Sequence, residues 1–521
     1  MRFDQYFHHT CSGLTLATIA STPGAQITND PFPNPIPLGI VEATLEPFAT
    51  VPFSNDDPAR LQGVFSPEDG SDRFFVVDQR GPIYAISDDG ATVTEYLDIR
   101  DFEPSLSGGG EFESGVQSMA FHPDFETNGL FYTIHGSDDL SPVPTFGRGV
   151  SPSIHQIVWE WAATNPTANT YTGPSPREVM RYDQPDFNHY GGGLAFDYTA
   201  PDGHTNHDML FITIGDGTGA GDSFGLAQNT LRPNGNIFRI NPMPSPPNDS
   251  YTVPSDNPFV GNAAGLDEIY AHGFRNPQRL SFDRLREITD PLVIDIGQGV
   301  IEELNIVPLG ANAGWSDREG SFEFVNNSFV RINDTPPGLL PPAAEYDHSE
   351  GNAITGVVLA RGSSAGALDG ACLFGDIRNG RIFYIADFVE DVQGSTGGQD
   401  AIRELRLRDE SGEVTTFLEN LSFGPHFRAD IRFGVNEAGE LFATSKRDGF
   451  IYQLTDIQAV LPCAEADFAE PFAVLDAFDG AVFKDLLGAG DTAADLAPGG
   501  GFTDADVQAF DAAFTGGCTV D

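Results

Sequence analysis

RFFVVDQRGPIYAI, residues 73–86, sets two large apolar residues before a short alternating run, a glycine turn and a second run. That is the pattern of strand, tight turn, strand. The opening recurs as LFYTIHG (130–136), LFITIGDG (210–217), LVIDIGQG (292–299), LFGDIRNGRIFYI (373–385) and LFATSKRDGFIYQL (441–454). The second large residue of each falls at Phe75, Phe131, Phe211, Val293, Phe374 and Phe442, at spacings of 56, 80, 82, 81 and 68 residues. Each interval holds about four short strands with their loops. The repeat predicts an all-β fold, a six-bladed β-propeller over residues 40–458. A β-sandwich with incidental similarity would not require such even spacing. Propellers take ligands at the mouth of the central channel, on loops between strands.

Composition agrees with an all-β chain. Among 521 residues there are 58 Gly, 38 Pro and 41 Phe, which is turn-rich sequence with aromatic strands. The formal net charge of −49 excludes nucleic acid and anionic membrane surfaces as partners. The acidic residues are dispersed, which reads as a solvated surface suited to salty surroundings. No run of about 18 apolar residues exists, so no transmembrane helix is expected. Residues 1–25 carry one arginine, a short apolar stretch and small residues up to Ala25, which predicts a signal peptide and a periplasmic or secreted protein.

The texture changes after Leu461-Pro462. ADFAEPFAVLDAFDGAVFKDLL (466–487) and ADLAPGGGFTDADVQAFDAAF (494–514) are related halves, each an acidic loop followed by an amphipathic helix. Asp495, Gly500 and Asp506 stand at positions 1, 6 and 12 of a calcium-loop frame, but Ala497 and Gly499 replace two ligands. Residues 463–521 therefore resemble a degenerate dockerin-like helical module, or a plain capped helical pair, with a possible attachment partner. Cys463 and Cys518 bracket it and would pair in an oxidising compartment. With four cysteines and no CxxC, zinc is not expected.

The candidate chemistry centres on FNHYGGGLAFD (187–197), where His189 precedes Gly191–Gly193. A neutral imidazole can take a hydroxyl proton near neutral pH. Taken singly, the histidine and the glycines also suit an ordinary turn. Further phrases accompany them: EFESGVQSMAFHPDF (111–125), YTVPSDNPFVG (251–261), GFRNPQRLSFD (273–283), GQGVIEELN (297–305) and GDIRNGRIF (375–383). Together, from about Arg60 to Leu454, they resemble the soluble PQQ-dependent sugar dehydrogenases, the glucose/sorbosone dehydrogenase family.

The resemblance implies a six-bladed propeller and PQQ- and calcium-dependent oxidation of a sugar hydroxyl, at C1 of an aldose. Hydride would pass to the quinone, with His189 as general base, and electrons would go on to an external acceptor. It implies that Glu113 and Asn188 contact substrate, and that Arg275, Asn276, Arg378 and Arg428 hold the cofactor. The carbonyls of Gly299 and Val300 would hold Ca2+. The family's sixth blade carries R-x-R-D, whereas this chain reads GPHFRADIRFG (424–434). Arg428 stands between the two expected arginine positions, and whether His426 or Arg432 compensates is open. Specificity is expected in loops 137–186 and 316–346, and His122 and His348 read as structural. The alternative is a non-catalytic extracellular propeller that binds a glycan or protein.

Overall fold

Each of the six recurring phrases supplies the second strand of an antiparallel run of four. These strands are Phe74–Asp78, Leu130–Ser137, Leu210–Ile214, Leu292–Asp295, Cys372–Asp376 and Leu441–Ser445. Five of the six are buried along their whole length, because neighbouring sheets cover both faces. This is why they read as nearly continuous apolar runs. All six marker residues, Phe75 to Phe442, are fully buried.

The computed structural model describes residues 26–460, apart from 55, 109–112, 147–151, 202, 245–249 and 390–397. The expected signal peptide, the C-terminal module and the Cys463–Cys518 pair lie outside the described residues. Cys372 is buried and free.

Four separate sheets each hold four strands in chain order, beginning with Leu61–Phe65, Val116–Phe121, Gly191–Phe196 and Pro277–Ser281. The larger nine-stranded sheet joins two further runs. One is Ile354–Leu359, Cys372–Asp376, Ile382–Ile385 and Arg403–Arg408, with Val414–Thr415 beside the last. The other is Ile431–Val435, Leu441–Ser445 and Phe450–Ala459, completed by Leu38–Thr50. That early strand pairs antiparallel with Phe450–Ala459 and parallel with Arg403–Arg408. The first strands of successive runs touch in order, and Ile431–Val435 returns to Leu61–Phe65, so the contacts close a ring.

Between neighbouring sheets the core is aromatic. Phe442 lies 4.7 Å from Phe74 and 5.0 Å from Phe48, ring centroid to ring centroid, which seals the last run against the first. Tilted and edge-on pairs of this kind add about 0.5–1.5 kcal/mol beyond their buried area. Both segments expected as loops hold strands. Ile154–Ala162 and Arg177–Gln184 complete the second sheet. Arg318–Glu319, Phe322–Asn326 and Phe329–Arg331 form a small sheet with Ile27–Thr28. Among the described residues helices are few and short, such as Phe125–Asn128 and Phe417–Asn420. Among the described residues none is long and apolar enough to cross a membrane.

Candidate active site

His189 sits in the connection from Arg177–Gln184 to Gly191–Phe196, with its backbone at φ +56 and 7% of its surface exposed. Histidine tolerates this left-handed conformation better than bulky or β-branched residues. Gln184 Nε2 secures the connection by donating to the Asn188 carbonyl at 2.8 Å. The GGG segment is the start of a strand rather than a turn. A side chain at Gly191 would meet the backbone of Gly215 and Thr213, and one at Gly192 would collide with Gln117. These glycines let adjacent strands approach closely.

Both ring nitrogens of His189 are engaged. Arg275 Nη2 lies 2.8 Å from Nε2, and Asp216 Oδ1 lies 2.7 Å from Nδ1. A guanidinium only donates, so the network assigns the lone pair to Nε2 and the proton to Nδ1, donated to Asp216. Asp216 is fully buried and also accepts from Thr218 N–H at 2.9 Å and Trp315 Nε1–H at 2.8 Å. Arg275 is fixed by the Ile296 carbonyl at 2.7 Å and Gln298 Oε1 at 3.2 Å, with its guanidinium 5.7 Å from the Trp315 ring centre.

Asn276 extends this network. Its Nδ2 donates to Glu113 Oε1 at 2.8 Å, and its Oδ1 accepts from Gly191 N–H at 3.0 Å. Glu113 Oε2 accepts from Tyr190 N–H at 2.8 Å. The backbone N–H groups of Arg275 and Asn276 both donate to Asp295, at 2.9 and 2.6 Å. Burial raises the pKa of the Asp295 carboxyl and of nearby Glu303, and pushes Glu345 up to about 7.

The structure brings Glu113, His189, Arg275 and Asn276 into one hydrogen-bonded group. Glu113, Asn188 and Arg428 line a cleft of about 440 Å³ together with Arg60, Lys446 and Arg447. Arg428 is half-exposed and holds Asp430, with Nη2 at 2.8 Å. Arg378 does not line the cleft, although its neighbour Ile377 does; its Nη1 donates to Asn352 Oδ1 at 3.3 Å. Gly299 and Val300 lie in a turn whose N–H groups, from Gln298 to Ile301, all donate to Glu319 Oε1 at 2.7–3.1 Å. The Val300 carbonyl accepts from His348 N–H at 2.9 Å. His426 Nε2–H donates to the Ser422 carbonyl at 2.7 Å, and Arg432 Nη1 is spent on Thr355 Oγ1 and the Ile431 carbonyl.

His348 pairs with Glu302 at 2.8 Å. His122 stands with Asp124 and Asp208, a group with metal-ligating atoms close together. Its Nδ1 accepts from Asp124 N–H and Asn128 Nδ2, both at 3.0 Å, which commits the ring proton to Nε2. That is the nitrogen a metal would need. Sequence reasoning missed Asp216, Trp315, Gln298 and Lys446. Asp216, Gln298 and Lys446 stand in quoted phrases, the first two beside a glycine after a strand end, which is the one local signal they carried.

The ring of four-stranded runs with a polar network at its mouth defines a propeller-like protein. Residues 62–414 match the family model described as glucose/sorbosone dehydrogenase, and the chain belongs to that family. It is 31% identical over 327 residues to the HIPL2 protein of Arabidopsis thaliana, covering 54% of this chain and 45% of that protein. It is 25% identical over 406 residues to the Hedgehog-interacting protein of Homo sapiens, covering 76% of this chain and 51% of that one. The chain thus spans about half the length of these curated relatives. Its fold is similar to that of the PQQ-bound aldose sugar dehydrogenase of Streptomyces coelicolor. The TM-score is 0.53 at 19% identity, over 80% of this chain and 99% of the other.

Proposed function

We propose that the chain is a six-bladed propeller enzyme that oxidises a sugar hydroxyl, with His189 as general base and PQQ as the group that takes the electrons. The observation that carries this reading is the state of His189. Its Nδ1–H is held by a buried carboxylate and its Nε2 lone pair accepts from Arg275, whose neighbour Asn276 is bonded to Glu113. This is a base poised to receive a proton, with a negative partner ready to stabilise the imidazolium that results.

The fit of PQQ, a tricarboxylate, can be judged from the donor set. In a chain of net charge −49, the cleft is lined by five cationic side chains and only two carboxylates, Glu113 and Asp430. That is a wall built for an anion. The cations of this wall would hold the carboxylates, and Arg275 and Asn276 would meet the quinone oxygens. When bound, PQQ supplies the hydride acceptor. Arg275 must leave His189 Nε2 before that atom can take the substrate's hydroxyl proton. Asp216 and Trp315 keep the imidazole in place meanwhile. Glu113 and Asn188 would orient the sugar. The Gly299–Val300 turn fits calcium less well, because the Val300 carbonyl already accepts a hydrogen bond, and the proton step does not depend on it.

Loading the full chain with PQQ and Ca2+ and following dye reduction over a panel of aldoses tests the proposal. Turnover that His189→Ala removes is the expected result. The absence of both turnover and protein-bound quinone absorbance refutes it and favours a second reading, a propeller that binds a protein or glycan. The likeness to the human Hedgehog-interacting protein, 25% identical over 76% of this chain, favours that second reading. Export and an external electron acceptor belong to the first.

A further inference from the structure

We propose that Lys446, with Arg60, forms the anion-binding centre of the cleft and takes a ligand carboxylate in place of the arginine that the sixth run lacks. The inference rests on the cleft being the ligand site of the function proposed above. Lysine is almost absent from this chain: Lys446 and Lys484 are the only two in 521 residues. One of them stands on the turn after Leu441–Ser445 and lines the cleft.

The other cations of that wall are already committed. Arg428 and Arg447 share Asp430, and Arg432 is tied to Thr355 and to its neighbour's carbonyl. The side chains of Lys446 and Arg60 have no hydrogen-bond or ion-pair partner among the described residues, although both are partly buried. Two further guanidiniums, Arg279 and Arg432, repel Lys446, with Asp430 and Glu113 as the opposing charges. Burial and these like charges hold the Lys446 ammonium well below its usual pKa, and burial with Arg80 and Arg447 lowers that of Arg60. A cation left uncompensated in a partly desolvated place costs stability unless something pairs with it. A carboxylate entering the cleft would be that partner. Arg428, held by Asp430, is less free to serve, so the charge needed by an anionic ligand has moved to the next turn of the same run.

Isothermal titration calorimetry on the full chain tests this with two probes, PQQ and the redox-inert benzene-1,3,5-tricarboxylate. The variants are Lys446→Met, Lys446→Arg and Arg60→Met. The wild type should bind both probes. Lys446→Met and Arg60→Met should each weaken both by about ten- to a hundredfold, the loss of one charge-assisted contact. Lys446→Arg should stay within about threefold of wild type, since a guanidinium keeps the charge. Thermal melts should show Lys446→Met at least as stable as wild type, because the substitution removes an unpaired cation. Unchanged affinity in a folded Lys446→Met overturns the proposal while leaving the dehydrogenase reading intact. Tricarboxylate binding that depends on Lys446, without PQQ binding, upholds the anion site and removes the quinone reading. A wild type that binds neither probe overturns the anion site.

Discussion

Replacing Asp216 with asparagine changes one oxygen to an amide nitrogen in a place with no spare room for a donor. Three N–H groups converge on this fully buried carboxylate: His189 Nδ1–H, Thr218 N–H and Trp315 Nε1–H, at 2.7, 2.9 and 2.8 Å. An asparagine that keeps its oxygen toward His189 and Thr218 turns its NH2 against the Trp315 N–H. Turned over, its NH2 confronts both other donors. His189 could escape by moving its proton to Nε2, but that atom then meets Arg275 at 2.8 Å. The first orientation is therefore the less costly. It leaves one buried donor unmet, at about 1–3 kcal/mol, and reduces two charge-assisted bonds to neutral ones, at about 1 kcal/mol each. The expected destabilisation of Asp216→Asn is about 3–5 kcal/mol, read as a shift of the urea midpoint at unchanged slope. The imidazolium formed on proton transfer also loses its counter-charge. Turnover of the PQQ-loaded enzyme should fall about 10²- to 10⁴-fold, the worth of a properly supported general base. Trp315→Phe removes the conflicting donor. The double variant should thus be less destabilised than the sum of the two single variants. An Asp216→Asn protein within about 1 kcal/mol of wild type, with strictly additive costs, would falsify the three-donor account.

Two further outcomes follow from the same neighbourhood. Glu319→Ala leaves the four N–H groups of Gln298 to Ile301 without their shared acceptor. It should cost about 3–6 kcal/mol in urea unfolding, allowing for water reaching some of them, and faster amide hydrogen exchange at these positions is the direct check. Stability should also fall as pH rises from 5 to 8. Burial raises Glu345 from 4.5 to about 7, so its contribution is fully present below its unfolded pKa and is lost as pH rises through about 7. That shift alone is worth up to about 3 kcal/mol, and the raised Asp295 and Glu303 add to the same slope. Glu345→Gln should flatten the fall in melting temperature over this range. A wild-type melting temperature that rises from pH 5 to 8 would contradict it.

What could be read from the sequence depended on how local its physical cause was. Phe75, Phe131, Phe211, Val293, Phe374 and Phe442 were legible because a strand covered on both faces must be apolar throughout, whatever lies next to it. The sheet of Arg318–Glu319, Phe322–Asn326 and Phe329–Arg331 was not, because the first is two charged residues and the others are partly exposed, so none carries such a run. Nor could any local pattern announce that Leu38–Thr50 pairs with Phe450–Ala459. In the site, His189, Glu113, Arg275 and Asn276 came from phrases shared with a family. Asp216 was read only as the end of a strand, since its role depends on a ring carried by a different loop. The three glycines suited an ordinary turn, whereas they open a strand, and neighbouring strands and Gln117 claim the space a side chain would need. Nor could sequence sort the sixth run's cations, because which of them are paired, as Arg428 and Arg447 are with Asp430, depends on the fold.

The strand Leu38–Thr50 has a consequence for how the molecule comes into being. It is made early, yet its antiparallel partner Phe450–Ala459 follows about 400 residues later. At typical synthesis rates of about 5–20 residues per second, its backbone waits roughly 20–80 seconds for that partner. Throughout that interval an apolar strand, with Val41, Ala43 and Leu45 destined for the interior, presents an unpaired edge. The ring is thus joined by a long-range contact, in which an early strand and a late one meet and Phe48 is set against Phe442 and Phe74.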